Sequence, residues 1–167
     1  DVKLDTIKKN QHLSEIMNKQ NVENNTIIHI EKKHKEVFDI RKIKPGHKHA
    51  FMLKQDSLST PLFWIYEIDK INYVVFSLTD SLTAWRDEKS VDVKTEYIEG
   101  VINSSLWNAI QEANGDPNLT MEMSDIYSWT VDFFGIQPGD TFKVVYENKY
   151  IHDECIGMGK ILSCYLN

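Results

Sequence analysis

Six histidines, three neighbouring acids and two cysteines are the residues of this 167-residue chain whose types could carry chemistry. A hydrolytic zinc needs three protein ligands and one open position for water. It lowers the pKa of that water to about 7 and polarises the scissile carbonyl. His47-Lys48-His49 is the one His-x-His in the chain. Two histidines at i and i+2 on a strand point to one face and could share a metal. No acid stands beside them at ligand spacing, so they read as an exposed loop-to-strand pair. Glu122, Asp125 and Asp132 lie near one another in sequence. Paired carboxylates held about 5 to 9 Å apart can hydrolyse a glycoside. Solvation of a helix face, capping, or the charge of an interdomain surface are the plainer readings of these three. Cys155 and Cys164 are nine residues apart on what reads as one strand. At about 3.3 Å per residue they stand roughly 30 Å apart, too far for a disulfide, so two free or buried thiols are expected. The chain has no Gly-x-Ser-x-Gly elbow and no Gly-rich phosphate loop.

The elements that must position these residues follow from periodicity. Hydrophobic residues make up 41% and charged residues 26%, as in an ordinary globular chain. No apolar run of about 18 residues is present, so no segment reads as a transmembrane helix. The start, Asp1 to Asn10, has no apolar stretch of a signal peptide; a signal removed upstream stays open. Asp1 to Ser57 holds 12 Lys+Arg against 8 Asp+Glu (+4), and Leu58 to Asn167 holds 7 against 17 (−10). This split predicts two subdomains, 1–57 and 58–167, whose charges also attract each other. The basic residues are interspersed with acids and form no stripe with aromatics, which argues against a nucleic-acid partner.

The first third reads β-α-α-β. Leu4 to Ile7 is a strand, and Leu13, Ile16 and Met17 make one helical face. Asn24, Asn25 and Thr26 offer caps for a second helix with Ile27, Ile30 and His34 on one side. Lys44-Pro45-Gly46 is a turn, and His49 to Leu53 is the returning strand. Four further strands are expected over Leu62–Asp69, Asn72–Leu78, Leu82–Asp87 and Val91–Glu99, with hairpin ends at Lys70–Asn72 and Asp87–Lys89. Their aromatics (Phe63, Trp64, Tyr66, Tyr73, Phe76, Trp85) read as core rather than a ligand platform. Ser104 or Ser105 caps a helix with Leu106, Trp107 and Ile110 inward, and Gly115 suits its left-handed end. Leu119, Met123, Ile126 and Tyr127 form the next helical stripe, and Trp129 to Phe134 reads as extended. After a Gln137–Asp140 turn, Phe142, Val144 and Tyr146 alternate with Lys143, Val145 and Glu147 on a half-buried strand. A turn at Ile151–Glu154 leads to a last strand, Ile156 to Leu166. The fold class is therefore α+β, a β-α-α-β subdomain followed by a β-rich subdomain with an inserted pair of helices.

Several strings carry a resemblance. Gly100-Val-Ile-x-Ser-Ser-Leu106, Asp125-Ile-Tyr-x-Trp129, Asp132-Phe133 and Pro138-Gly-Asp-x-Phe-Lys-Val144 occur in the order and spacing found just ahead of the catalytic domain in lysostaphin-like (LytM-type) zinc metallopeptidases of Gram-negative bacteria. Those enzymes cut peptide cross-links in peptidoglycan. The match covers about the last seventy residues. It departs at His152-Asp153, where a glycine is usual. The first third resembles a LysM-like module, with Asn10-Gln11-His12-Leu13 in place of a Gly-Asp-Thr-Leu run and Ile43-Lys44-Pro45-Gly46 matching a Leu-x-Pro-Gly turn. The departures at Asn10, Gln11 and His12 favour a scaffold without sugar affinity. A bound glycan would lie on the two turns, at Asn10, Gln11, His12, Lys44, Pro45 and Gly46.

The resemblance implies that the zinc ligands stand in a His-x-x-x-Asp and a later His-x-His, within a catalytic domain. The six histidines here are followed four residues on by Ile16, Lys33, Phe38, Phe51, Leu53 and Ile156, so no His-x-x-x-Asp exists in this chain. The chain is expected to hold no cofactor and to be non-catalytic alone, ending where the catalytic domain of a parent zinc metalloendopeptidase begins. Its implied partners are that domain and peptidoglycan, in the periplasm or outside the cell. An acid offered from this region to the zinc, with Glu122, Asp125 and Asp132 as the surface concerned, would restrict access to the site. The alternatives are a free-standing glycan- or protein-binding module and an adaptor that activates another chain's hydrolase.

Overall fold

The computed structural model describes residues 1–131 and 135–167. It is α+β and divides into two compact units, Asp1–Ser90 and Val91–Asn167. Each is an antiparallel sheet with a pair of helices inserted between two neighbouring strands.

In the first unit the expected β-α-α-β order is present: β1 (Val2–Thr6), α1 (Leu13–Asn18), α2 (Asn24–Lys33) and β2 (Lys48–Leu53). A 3-10 turn, Ile40–Lys42, precedes β2. The chain then runs as a meander through β3 (Pro61–Glu67), β4 (Asn72–Ser77) and β5 (Ala84–Glu88), giving a five-stranded sheet in sequence order. The helices form because their apolar residues fall on one side, and that side is the one buried: Leu13, Ile16 and Met17 on α1, Ile27 and Ile30 on α2. They pack on Phe51, Trp64, Tyr66, Val74 and Phe76 of the sheet. Trp64 stacks on Phe76 with ring centres 5.3 Å apart. Each large apolar side chain so buried contributes about 1.5–3 kcal/mol.

In the second unit β6 (Asp92–Val101), β7 (Thr141–Ile151) and β8 (Glu154–Leu166) form a three-stranded sheet in that order. Between β6 and β7 the chain makes α3 (Leu106–Glu112) and α4 (Leu119–Tyr127). Leu106, Ala109, Ile110, Leu119 and Met123 pack on Phe142, Val144 and Tyr146. The Tyr127 hydroxyl donates to the Cys164 carbonyl at 2.9 Å, tying α4 to β8.

Several expectations are corrected. The units meet at Ser90/Val91, not at Ser57/Leu58, because β2 and β3 are hydrogen-bonded neighbours from His49↔Tyr66 to Leu53↔Pro61. The charge shift at residue 57 marks a change of surface, not of core. Asp87–Lys89 is no hairpin end: among the described residues β5 pairs with β4 alone, and β6 opens the other sheet. Glu23, without a side-chain bond, occupies the N-cap of α2 in place of Asn24, Asn25 or Thr26. Asn114 takes the left-handed conformation after α3 (φ 57°), and Gly115 instead serves close packing. Trp107 and Ile126 point to solvent, and Trp129 lies in a turn, 96% exposed. Phe134 and the Asp132-Phe133 string lie outside the described residues. A two-residue turn with His152 at φ 55° joins β7 to β8, so a non-glycine residue holds the conformation there.

Candidate functional site

The two turns expected to hold a glycan are brought to one end of the β1–β2 pair. The Ile7 amide donates to the His47 carbonyl at 2.9 Å, and the Gly46 amide donates to the Ile7 carbonyl at 2.8 Å. Asn10 sits at φ 61°, and the Lys8 amide donates to the Gln11 side chain at 2.8 Å. His12 is the N-cap of α1 and makes no side-chain cap bond. Asn10, His12, Lys44, Pro45 and Gly46 are exposed, and Gln11 is half-buried. The closeness of the two turns therefore comes from the backbone ladder.

The His-x-His pair behaves differently from its sequence reading. His49 is buried, 4% exposed, and its Nδ1 accepts from the Trp64 indole at 3.3 Å. Its Nε2 is buried without a partner among the described residues. His47 Nδ1 faces the Glu67 carbonyl at 3.0 Å, and its ring stacks on Tyr66. Each imidazole is committed to its own neighbour, so the i, i+2 spacing does not make an exposed chelating pair. Among the described residues no three His, Cys, Asp or Glu side chains converge as metal ligands. Both cysteines are free, Cys155 exposed and Cys164 half-buried.

Glu122 and Asp125 are exposed on α4, and Asp132 lies outside the described residues. Two solvated carboxylates on one helix face lack the burial that separates an acid from a base. A carboxylate that does have a built environment went unread in the sequence. On the helix-covered side of the second sheet, Glu96 accepts from the Tyr150 hydroxyl and from the Tyr146 hydroxyl, the latter at 3.2 Å. Tyr150 above all, helped by Asn148 and Tyr146, holds the Glu96 carboxyl below its ordinary range. By the same bond the Tyr150 phenol is pushed up to about 12. Lys94 Nζ stands 4.6 Å over the Tyr150 ring, and the buried Asn148 Oδ1 has no partner among the described residues. The signal was available: the inward alternation of Phe142, Val144 and Tyr146 continues to Asn148 and Tyr150.

This arrangement of two sheets, each with an inserted helix pair, is a known one. No family profile matches the chain. Its fold is that of a zinc-containing peptidase from Vibrio cholerae, with a TM-score of 0.63 at 16% identity over 98% of this chain and 51% of that one. Csd3 of Helicobacter pylori shares it, with a TM-score of 0.59 at 16% identity over 98% of this chain and 45% of Csd3. In sequence, 92 residues are 33% identical to the peptidoglycan DD-endopeptidase ShyC of Vibrio cholerae serotype O1. That stretch is 54% of this chain and 21% of ShyC. The resemblance to lysostaphin-like peptidoglycan peptidases carried by the motifs is thus met in sequence by ShyC and in fold by the two structures. The chain spans about half the length of those structures.

Proposed function

We propose that this chain is the non-catalytic region of a peptidoglycan metalloendopeptidase, one that positions the wall substrate and restricts access to the zinc. The observation that carries this reading is the 33% identity to a peptidoglycan DD-endopeptidase over 54% of the chain. The fold shared with half of a zinc-containing peptidase supports it. The zinc belongs to the catalytic domain of the parent, since this sequence has no His-x-x-x-Asp. The site of action is the periplasm or the cell exterior, where peptidoglycan is. In this reading the β-α-α-β opening of the first unit is its LysM-like part, whose two turns, with Asn10, Gln11, His12, Lys44, Pro45 and Gly46, face the glycan. Glu122 and Asp125, with Asp132, are the acids offered toward the catalytic domain.

The test is a comparison of muropeptide cleavage by the parent's catalytic domain alone and joined to this chain. Lower activity in the joined form is expected, and equal activity would sink the restricting role. A second reading, a binding module with no attached enzyme, is favoured by the adjacency of the two turns at Ile7. The length of the parent gene distinguishes the two. A further domain with His-x-x-x-Asp and His-x-His supports the first, and its absence supports the second.

A further inference from the structure

Residues 31–44 carry six Lys+Arg against three Asp+Glu in a chain whose net charge is −6. The first unit folds this segment around a groove of about 350 Å³, bordered by Lys35, Lys42, Lys44, His47, Tyr66 and Arg86. None of these four cations enters an ion pair among the described residues. Arg86 spends only its Nε, on the Val37 carbonyl at 2.6 Å. Of the two acids on the rim, Asp39 is taken by Arg41 through contacts of 2.9 and 2.6 Å, and Glu36 alone is left. The groove therefore has an excess of unspent positive charge.

Tyr66, on β3, also lines the groove. Tyr66 is 1% exposed, and its hydroxyl oxygen accepts from the Lys44 amide at 3.0 Å. The phenol proton itself meets no acceptor among the described residues. Burial raises the pKa of this phenol, so it stays a neutral donor. His47 stacks on the Tyr66 ring at 5.8 Å and 10°. A hydroxyl donor in a groove also lined by Lys35, Lys42, Lys44 and Arg86 suits an oxyanion. Phe38 and Ile68 add apolar wall, and Glu36 on the rim disfavours a polyanion such as a phosphodiester chain.

We propose that this groove binds the free carboxylate of a peptide, with Tyr66 and Lys44 holding the carboxylate and Lys35, Lys42 and Arg86 supplying the field around it. The choice of peptide rests on the peptidoglycan reading above: the stem peptide of the wall, not its glycan. The groove lies against β3 and β5, and of the six residues expected at the glycan turns only Lys44 borders it.

The whole chain would be titrated calorimetrically with three probes: a soluble stem peptide with free carboxyls, the same peptide with every carboxyl amidated, and a peptide-free glycan strand. The acid form binds, the amidated form binds at least about tenfold more weakly, and salt weakens the acid form. Lys44→Glu costs at least about tenfold, since a charge-assisted contact becomes a repulsion. Lys160→Glu, a control in the second unit, has no effect. Lys44 is exposed, and the hydrogen bond its backbone N–H donates to Tyr66 does not involve the substituted side chain, so folding is not at stake. Equal binding of acid and amide, or an indifferent Lys44→Glu, overturns the inference. Binding of glycan without peptide overturns it and leaves the peptidoglycan reading standing. Binding of neither overturns it and removes direct wall contact from that reading as well.

Discussion

His49 is a neutral imidazole by the logic of its partners. The Trp64 indole can only donate, so Nδ1 must offer a lone pair and the ring proton sits on Nε2. Protonating the ring would set N–H against N–H. Burial lowers its pKa from the ordinary 6.5, with Asp5 across the sheet pulling the other way and Lys19 reinforcing. A folded-state pKa below the unfolded one means the unfolded chain binds the proton first. The stability this provides is full above about pH 6.5 and declines as pH falls toward the folded value. His49→Gln should flatten the dependence of the melting temperature between about pH 7 and 5, and an unchanged slope would refute the assignment. The Glu96 cluster acts in a lower window. Its carboxyl pKa is lowered from 4.5, so that contribution is present above this value and is lost as pH falls through the folded one. Glu96→Gln should bring the Tyr150 phenol down from about 12 toward its ordinary 10, read as ultraviolet absorbance on alkaline titration. A phenol that stays at about 12 would show that another group controls it. The i, i+2 spacing of His47 and His49 was plain in the sequence, but the burial of His49 depends on Trp64, fifteen residues on.

At the scale of elements, the end of α3 shows how two adjacent residues divide one task. Asn114 supplies the positive φ, which its short polar side chain tolerates. Gly115 supplies the space: a Cβ there would meet Ile98 Cδ1 at 2.4 Å and Ile110 Cγ2 at 3.0 Å. Gly115→Ala should therefore cost about 1–3 kcal/mol through overpacking of α3 on β6. Asn114→Gly should change stability by less than about 1 kcal/mol, since glycine adopts that φ freely. Chemical denaturation separates the two, and a neutral Gly115→Ala would sink the packing role. The helices themselves were legible, because Leu106, Ile110, Leu119 and Met123 recur at helical spacing. The width of the buried stripe was not. Trp107 and Ile126 stand beside the buried residues of each helix and are exposed.

At the scale of the molecule, the division at Ser90/Val91 makes a prediction opposite to the one drawn from charge. The core of the first unit joins Ile16, Met17, Ile30 and Phe51 to Trp64, Tyr66, Val74 and Phe76, which lie beyond residue 57. A fragment 1–90 should unfold in one cooperative thermal transition. A fragment 1–57 should show none, because it keeps the helices and loses Trp64, Tyr66, Val74 and Phe76, on which they pack. Cooperative melting of 1–57 would instead support a self-sufficient LysM-like module. The same connectivity places the basic segment 31–44 against Tyr66 and Arg86, so the groove needs the whole sheet.

The sequence by itself determined the α+β class, the β-α-α-β opening, the strands of both sheets to within a few residues, and the likeness to wall peptidases. These are set by local spacing and by short strings, and the backbone obeys both. Only the tertiary structure decided which strands share a sheet, where one core stops, that His49 is buried, and that Glu96 finds two tyrosines. Each of these depends on residues far apart in sequence whose side chains meet only when the strands take register. Periodicity shows that a face is apolar; packing alone shows what covers it.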